Sequence, residues 1–383
     1  ARDRLKTEPA FTRRSVLGAA AVLALGGCGA DEAAAPPSSG GIGPTPSPGP
    51  TGTVVPAGNR ILGISPTERE VDDFDGVVDL LLASGSTNAS LSLYWDDIES
   101  APGVYNPEVN FARIANQYYP ARNVSLSVSI VGIDTNVDRR PADLAALPFD
   151  HPEVVARHRN LIDWLLDQMP DTEFTNLAIG NEIDALLGSD PDQWASYTAA
   201  FGEIAQFART KRPGLTVGSK VTSNAVFDTA TRALYLPLLG LSDAAMLTYY
   251  PLSGDFLARG VGDVAADFSL FAALPADKPV HLLECGYPSA ADLSSSETQQ
   301  ADFISACFAA WDDHRDRIAQ IDFFALHDFR PSIVEQLRQY YGISQNGASF
   351  LGSLGLRTWP GQGSAKQAWD RFGMESATRG FGA

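Results

Sequence analysis

The sequence predicts a single catalytic domain with an α/β (β/α)₈ barrel, also called a TIM barrel, behind a disordered N-terminal segment. Three observations carry this. From Arg60 onward, short apolar runs of strand length alternate with amphipathic, helix-length segments. That alternation demands parallel strands joined by helical crossovers. There are eight such units at roughly thirty to forty residues each, and eight units close a barrel, which typically takes about 250 residues. Finally, no glycine-rich phosphate loop follows the first strand, which argues against an open doubly wound sheet.

The chain has 383 residues, 44% of them hydrophobic, and a formal net charge of −18. That is enough to bury a sizeable core. The acidic balance argues against nucleic acid as a partner, because phosphate backbones call for clustered Lys and Arg. It also disfavours anionic glycans.

Residues 1–27 read as an export address. "TRRSVLGAAAVLALGGCGA" pairs Arg13 and Arg14 with a modest apolar run from Val16 to Leu25, too short to span a bilayer comfortably. It resembles a twin-arginine signal peptide ending in a lipobox, which implies cleavage before Cys28 and a lipid on its sulfur. Residues 28–57 are rich in Pro, Gly, Ser and Thr and cannot bury enough surface to hold a fold, so they are expected to act as a flexible linker. The expectation is an extracytoplasmic, cell-surface protein anchored to the membrane through Cys28. It would be secreted if the lipobox is not used.

The barrel is expected over residues 58–375, with a short tail at 376–383. "RILGIS" is the first strand. The capping pattern Thr67-x-x-Glu70 is expected to open a helix carrying Val71, Phe74, Val77, Val78 and Leu81. "NASLSLYW" and "VSLSVSIVGI" follow as strands. Asp150 is expected to cap the helix that carries Val154 through Met169. "FTNLAIG" is the fourth strand, and Asp190-Pro191 sets a cap with proline at the first helical position. "LTVGSKV", "AAMLTYY", "PVHLLEC" and "QIDFFAL" supply strands five to eight. Ser296-x-x-Gln299 caps the helix before strand eight, and the final helix lies near 364–372. Insertions are expected in the loops after strands two, three and eight.

Barrel active sites lie at the C-terminal ends of the strands. The residues there are Ser65, then Tyr94 to Asp97, Asp134, Asn181-Glu182, Lys220 with Asn224, Tyr249-Tyr250, Glu284 to Tyr287, and His327 to Phe329. The ring is rich in carboxylates and aromatics. It lacks the closely spaced histidines of a metal site, so neither a metal nor a cofactor is expected. Glu182 and Glu284 both end strongly apolar strands three units apart, which sets them across the mouth from one another. Two convergent carboxylates suit glycosidic bond cleavage, one neutral to protonate the leaving oxygen and one ionised to attack.

On these motifs the chain resembles the clan A retaining glycoside hydrolases, cellulase-like or galactanase-like. The carriers are "LAIGNEI", "LTYYPLS", "HLLECGYPS", "LYWDDIESAPGVYN" and the ending "GLRTWPGQGSAKQAWDRF". The resemblance implies Glu182 as general acid/base, Glu284 as nucleophile, Asn181 on the sugar 2-hydroxyl and Tyr250 donating to Glu284, with Tyr249 as the alternative. Trp95, Tyr287 and Phe329 are candidate sugar platforms. His327 and Asp328 stand where many members place a tryptophan, and they are carried as substrate-binding candidates. No arginine stands near the end of strand two, and Lys220 is the candidate to supply positive charge beside the nucleophile instead.

The expected reaction is hydrolysis of a β-linked poly- or oligosaccharide by double displacement, in a monomer. Two alternatives are transglycosylation through the same intermediate and a non-catalytic glycan-binding lipoprotein. Of the three cysteines, Cys285 and Cys307 are expected to be buried and unbridged. Cys307 lies about 16 Å down its helix, whereas a disulfide holds its Cα atoms within about 7 Å.

Overall fold

The computed structural model describes residues 54–71 and 74–382. The twin-arginine stretch, Cys28 and most of the linker lie outside the described residues.

The eight barrel strands are β1 (Ile61–Ile64), β2 (Asn88–Tyr94), β3 (Ser125–Asp134), β4 (Phe174–Asn181), β5, β6 (Ala245–Tyr249), β7 (Val280–Cys285) and β8 (Ile318–Phe323). β5 comes in two pieces, Val217–Gly218 and Lys220–Thr222. Neighbouring strands are parallel all the way round, and β1 pairs with β8. The circuit closes through β5, whose first piece pairs with β4 and whose second piece pairs with β6. The outer ring consists of α1 (Phe74–Ala83), α2 (Phe111–Tyr118), α3 (Pro152–Gln168), α4 (Pro191–Lys211), α5 (Thr229–Leu241), α6 (Val264–Ala272), α7 (Glu297–Asp313) and α8 (Gln367–Arg379).

Most of the apolar core lies between the strands and these helices. Strand alternation sends small polar residues inward instead. Asn88, Ser127, Gln320 and Asp322 bond to one another inside the barrel, with Asn88 Nδ2, Ser127 Oγ and Gln320 Nε2 all within 3.0 Å of the Asp322 carboxylate. Gly63 makes room for that carboxylate, since a Cβ there would fall 2.1 Å from Asp322 Oδ1.

The loops after β2, β3 and β8 carry the expected insertions. The longest follows β8 and contains two helices, Pro331–Tyr341 and Gln345–Leu351. Its apolar residues Ile333, Leu337, Ile343, Phe350 and Leu354 pack with Tyr250 and Phe324 into a second core above the barrel.

Two predicted caps behave as expected. Asp190 accepts from the backbone N–H groups of Asp192 and Gln193, and Ser296 accepts from that of Gln299. Others differ. Thr67 and Glu70 do not open a helix; α1 starts at Phe74 and Val71 is exposed outside it. Thr67 instead bonds the backbone of His327, and Glu70 accepts from Gly361 N, so this loop is pinned to the returning C-terminal segment. The cap of α3 is His151, with Pro152 at the first helical position, while Asp150 accepts from Ser196. The last helix extends to Arg379, past the predicted tail boundary. Phe381 then stacks on Trp311, and Arg379 pairs with Asp312, which also takes Arg60 at the start of β1.

Cys285 and Cys307 are buried and unbridged, but the expected separation was wrong. Their sulfurs lie 3.8 Å apart. Residues 286–296 carry the chain away from β7 before α7 begins, so the descent along the helix brings Cys307 back level with Cys285. Burial, and then the neighbouring Cys285, push the Cys307 thiol up.

Candidate active site

β4 and β7 deliver the two glutamates by different local devices. In β7 the register skips a residue. Leu247 aligns with Leu282 but Thr248 aligns with Glu284, so Leu283 is a bulge that turns Glu284 into the mouth. β4 ends at Asn181, and Glu182 follows with φ of +46°, a left-handed backbone that a non-glycine residue adopts at a cost of about 1–3 kcal/mol. Thr135, at the end of β3, shares that conformation with φ of +55° and donates its N–H to Asn181 O at 2.9 Å.

The surroundings of the two carboxylates differ in kind. On Glu284, Lys220 Nζ lies 2.6 Å from Oε1 and the Tyr250 hydroxyl donates to Oε2 at 3.1 Å. On Glu182, two hydroxyls donate, Thr248 to Oε1 at 2.6 Å and Thr135 to Oε2 at 2.9 Å. Lys220 is 3% exposed, Glu284 5% and Glu182 0%. The two acids converge on common neighbours. Thr248, which bonds Glu182, is the register partner of Glu284. The Tyr250 phenol is held well above its usual range by burial first, then by the charges of Glu284 and Glu182. It therefore stays a donor.

Beside the pair, Asn181 Nδ2 donates to Asp134 Oδ1 at 2.9 Å. Asp134 Oδ2 accepts from Tyr340 and Tyr341 of the β8 insertion, each at 3.1 Å. Burial raises the Asp134 carboxyl to about 6 against the lowering effect of Asn181, the two tyrosines and Arg139. Arg139 sits 4.2 Å over the Tyr94 ring and bonds both Asp96 and Tyr340. The Tyr94 hydroxyl and Asn181 Oδ1 are buried without a protein partner.

This arrangement can be set beside known proteins. No protein-family profile matches the sequence, and no curated protein matches it significantly. Solved structures do match. An exo-β-1,4-mannosidase from Opitutaceae bacterium strain TAV5 superposes with a TM-score of 0.64 at 17% identity, over 84% of this chain and 60% of that one. A GH5_18 protein from Streptomyces cattleya, in complex with GlcNAc, gives 0.65 at 16%, over 85% and 80%. The GH53 catalytic domain of Ignisphaera aggregans gives 0.60 at 15%, over 84% and 98%. The chain thus spans only 60% of the length of the mannosidase. The fold is a (β/α)₈ barrel of the kind these glycoside hydrolases have.

Within this barrel, the structure brings together only some of the residues singled out from sequence. Asn181, Glu182, Tyr250, Glu284 and Lys220 meet at the mouth. Tyr249 does not; alternation turns it outward, where its hydroxyl donates to Asp267 among Phe268, Phe271 and Phe303. Trp95 is buried, donates to Glu99 and packs on His158, so it is no exposed platform. Tyr287 stacks on Phe303 and donates to Arg259 O.

His327 and Asp328 are bonded to other segments. His327 Nδ1 lies 2.8 Å from Thr67 O, and Asp328 pairs with Lys366 at 2.6 Å. β8 ends at Phe323, earlier than expected, so the aromatic that follows the strand is Phe324. Its ring lies 6.4 Å from that of Tyr250 and 5.9 Å from that of Phe329. Gly286 permits this packing, because a Cβ there would meet Phe324 O at 2.4 Å and Tyr250 Cε1 at 2.8 Å.

Sequence reasoning missed Thr135, Thr248, Arg139, Tyr340 and Tyr341 as contributors. Thr248 had a usable signal, lying two residues before Tyr250 and hence on the same strand face. The tyrosine pair had none, because it sits far along an insertion.

Proposed function

We propose that this protein is a retaining glycoside hydrolase acting on β-linked sugars, with Glu284 as nucleophile and Glu182 as general acid/base. The observation that carries the reading is the unlike setting of the two acids. An ammonium and a phenol donate to Glu284, as suits an attacking carboxylate, whereas neutral hydroxyls of Thr248 and Thr135 donate to Glu182, as suits an acid that gives up and regains a proton. In the first step a Glu284 oxygen attacks the anomeric carbon while Glu182 protonates the departing oxygen. In the second, Glu182 takes a proton from water, which attacks the same carbon and releases Glu284. A sugar hydroxyl in place of water would give transglycosylation.

The test is turnover of a panel of β-linked glycans, starting with β-1,4-mannosides because one structural neighbour is named as a mannosidase. Wild type should turn over at least one of them and Glu284→Gln should not. A 2-fluoro-glycoside should label Glu284. Binding without turnover by wild type, and no labelling, would leave a glycan-binding protein instead, a reading that the burial of both acids favours.

The N-terminal sequence supports placing this activity outside the cytoplasm on a lipid anchor at Cys28. A Cys28→Ser variant should then lose its membrane association, and retention of that association would count against the anchor.

A further inference from the structure

Asp134 belongs to neither step of the proposed reaction, yet it ties together three parts of the mouth. One oxygen takes the Asn181 amide and the other takes both Tyr340 and Tyr341. Asp134 is also the register partner of Asn181 across β3 and β4. A second contact joins the same surfaces, with Asn136 Nδ2 donating to Tyr341 O at 3.0 Å. The Pro331–Tyr341 helix therefore rests on the end of β3, and the residue it rests on is the one that orients Asn181. Over this arrangement Glu182 has no exposure at all.

We propose that Asp134 is a positioning residue that fixes the Asn181 amide for the sugar and latches the Pro331–Tyr341 helix to the end of β3, beside Asn181 and Glu182. This rests on the glycosidase reading. Its two oxygens act in different directions. Loss of the Asn181 bond frees an amide that must meet the substrate in one orientation, and loss of the tyrosine bonds frees the helix. A carboxylate serves both because it offers several acceptor sites, whereas an amide offers one oxygen.

The experiment has two arms. In the first, kcat and KM are measured on the best glycan of the panel for Asp134→Ala, Asn181→Ala and the double variant. Asp134→Ala should lower kcat by about tenfold or more, as expected for losing a hydrogen bond to a charged group, with a much smaller change in KM. Asp134→Asn should fall between. In the Asn181→Ala background the Asp134 change should cost clearly less than in wild type, because the part that acts through Asn181 is already lost. Fully additive losses, or a loss confined to KM, would overturn the positioning role.

The second arm needs no glycoside. Amide hydrogen exchange over residues 331–341 should be faster in Asp134→Ala and in the Tyr340→Phe, Tyr341→Phe double variant than in wild type. Unchanged exchange in both overturns the latch. If no glycan is turned over and no label forms, the glycosidase reading fails while this arm still decides the latch.

Discussion

Replacing Lys220 with Met tests the charge logic of the site directly. The ammonium lies 2.6 Å from Glu284 Oε1, and both side chains are nearly sealed from solvent, at 4% and 7% exposure. At an effective dielectric of about 20, their attraction is about 6 kcal/mol. Desolvation offsets part of that, and removing one partner of a buried pair typically costs about 3–5 kcal/mol. Methionine keeps the length of the stem and removes only the charge. The stranded carboxylate can then escape by taking up a proton, which disables it as a nucleophile. A penalty of 3–5 kcal/mol is about two to four powers of ten in rate. The assay is kcat/KM between pH 5 and 9, with the rate of 2-fluoro-glycoside labelling and the urea midpoint measured alongside. Lys220→Met should lose at least a hundredfold near pH 6, and the loss should shrink as pH rises. A variant with wild-type kcat/KM at every pH and an unmoved midpoint would refute the reasoning.

Three other outcomes are expected. Tyr250→Phe removes a donor from Glu284 and should cut kcat by about tenfold, whereas Tyr249→Phe should leave kcat unchanged, because its hydroxyl serves Asp267; steady-state kinetics distinguishes them, and equal losses would contradict the placement. Gly286→Ala should cost about 1–3 kcal/mol through overpacking and also lower activity, because the new Cβ would press on Tyr250; a stable, fully active variant would show that the ring has room to move. The third concerns acid stability. Burial, then the nearby Arg140 charge, lower the His158 imidazole to about 3, and its Nε2 has no partner. The unfolded chain takes up this proton near the ordinary histidine value and the folded one does not. The stability it withholds is intact above about pH 6.5 and lost as pH falls towards 3, at up to about 1.4 kcal/mol per pH unit. His158→Phe should flatten the fall in urea midpoint over that range by one proton, and an unchanged slope would rule this out.

The barrel and the placing of Glu182 and Glu284 at its strand ends were legible because both are written in short-range patterns. Apolar runs alternating with capped amphipathic segments give the topology, and strand ends give the mouth. What could not be read depends on contacts between distant segments. The Thr67-x-x-Glu70 pattern has the right chemistry for a helix cap, but His327 and Gly361 take those side chains first. Trp95, Tyr287 and His327 have the right composition for a sugar site, yet packing turns them elsewhere. Strand eight was expected to end three residues later than it does, which hid Phe324 behind His327. Tyr340 and Tyr341 reach Asp134 from about two hundred residues along the chain, beyond the range of any local pattern.

The Arg60–Asp312–Arg379 cluster ties the first strand to the last helix. Arg60 stands just ahead of β1, at the floor of the cylinder, while the glutamates stand at its rim. The cluster and the two glutamates thus occupy opposite ends of one cylinder, so the contacts that hold the last helix to the first strand are made far from the residues at the mouth.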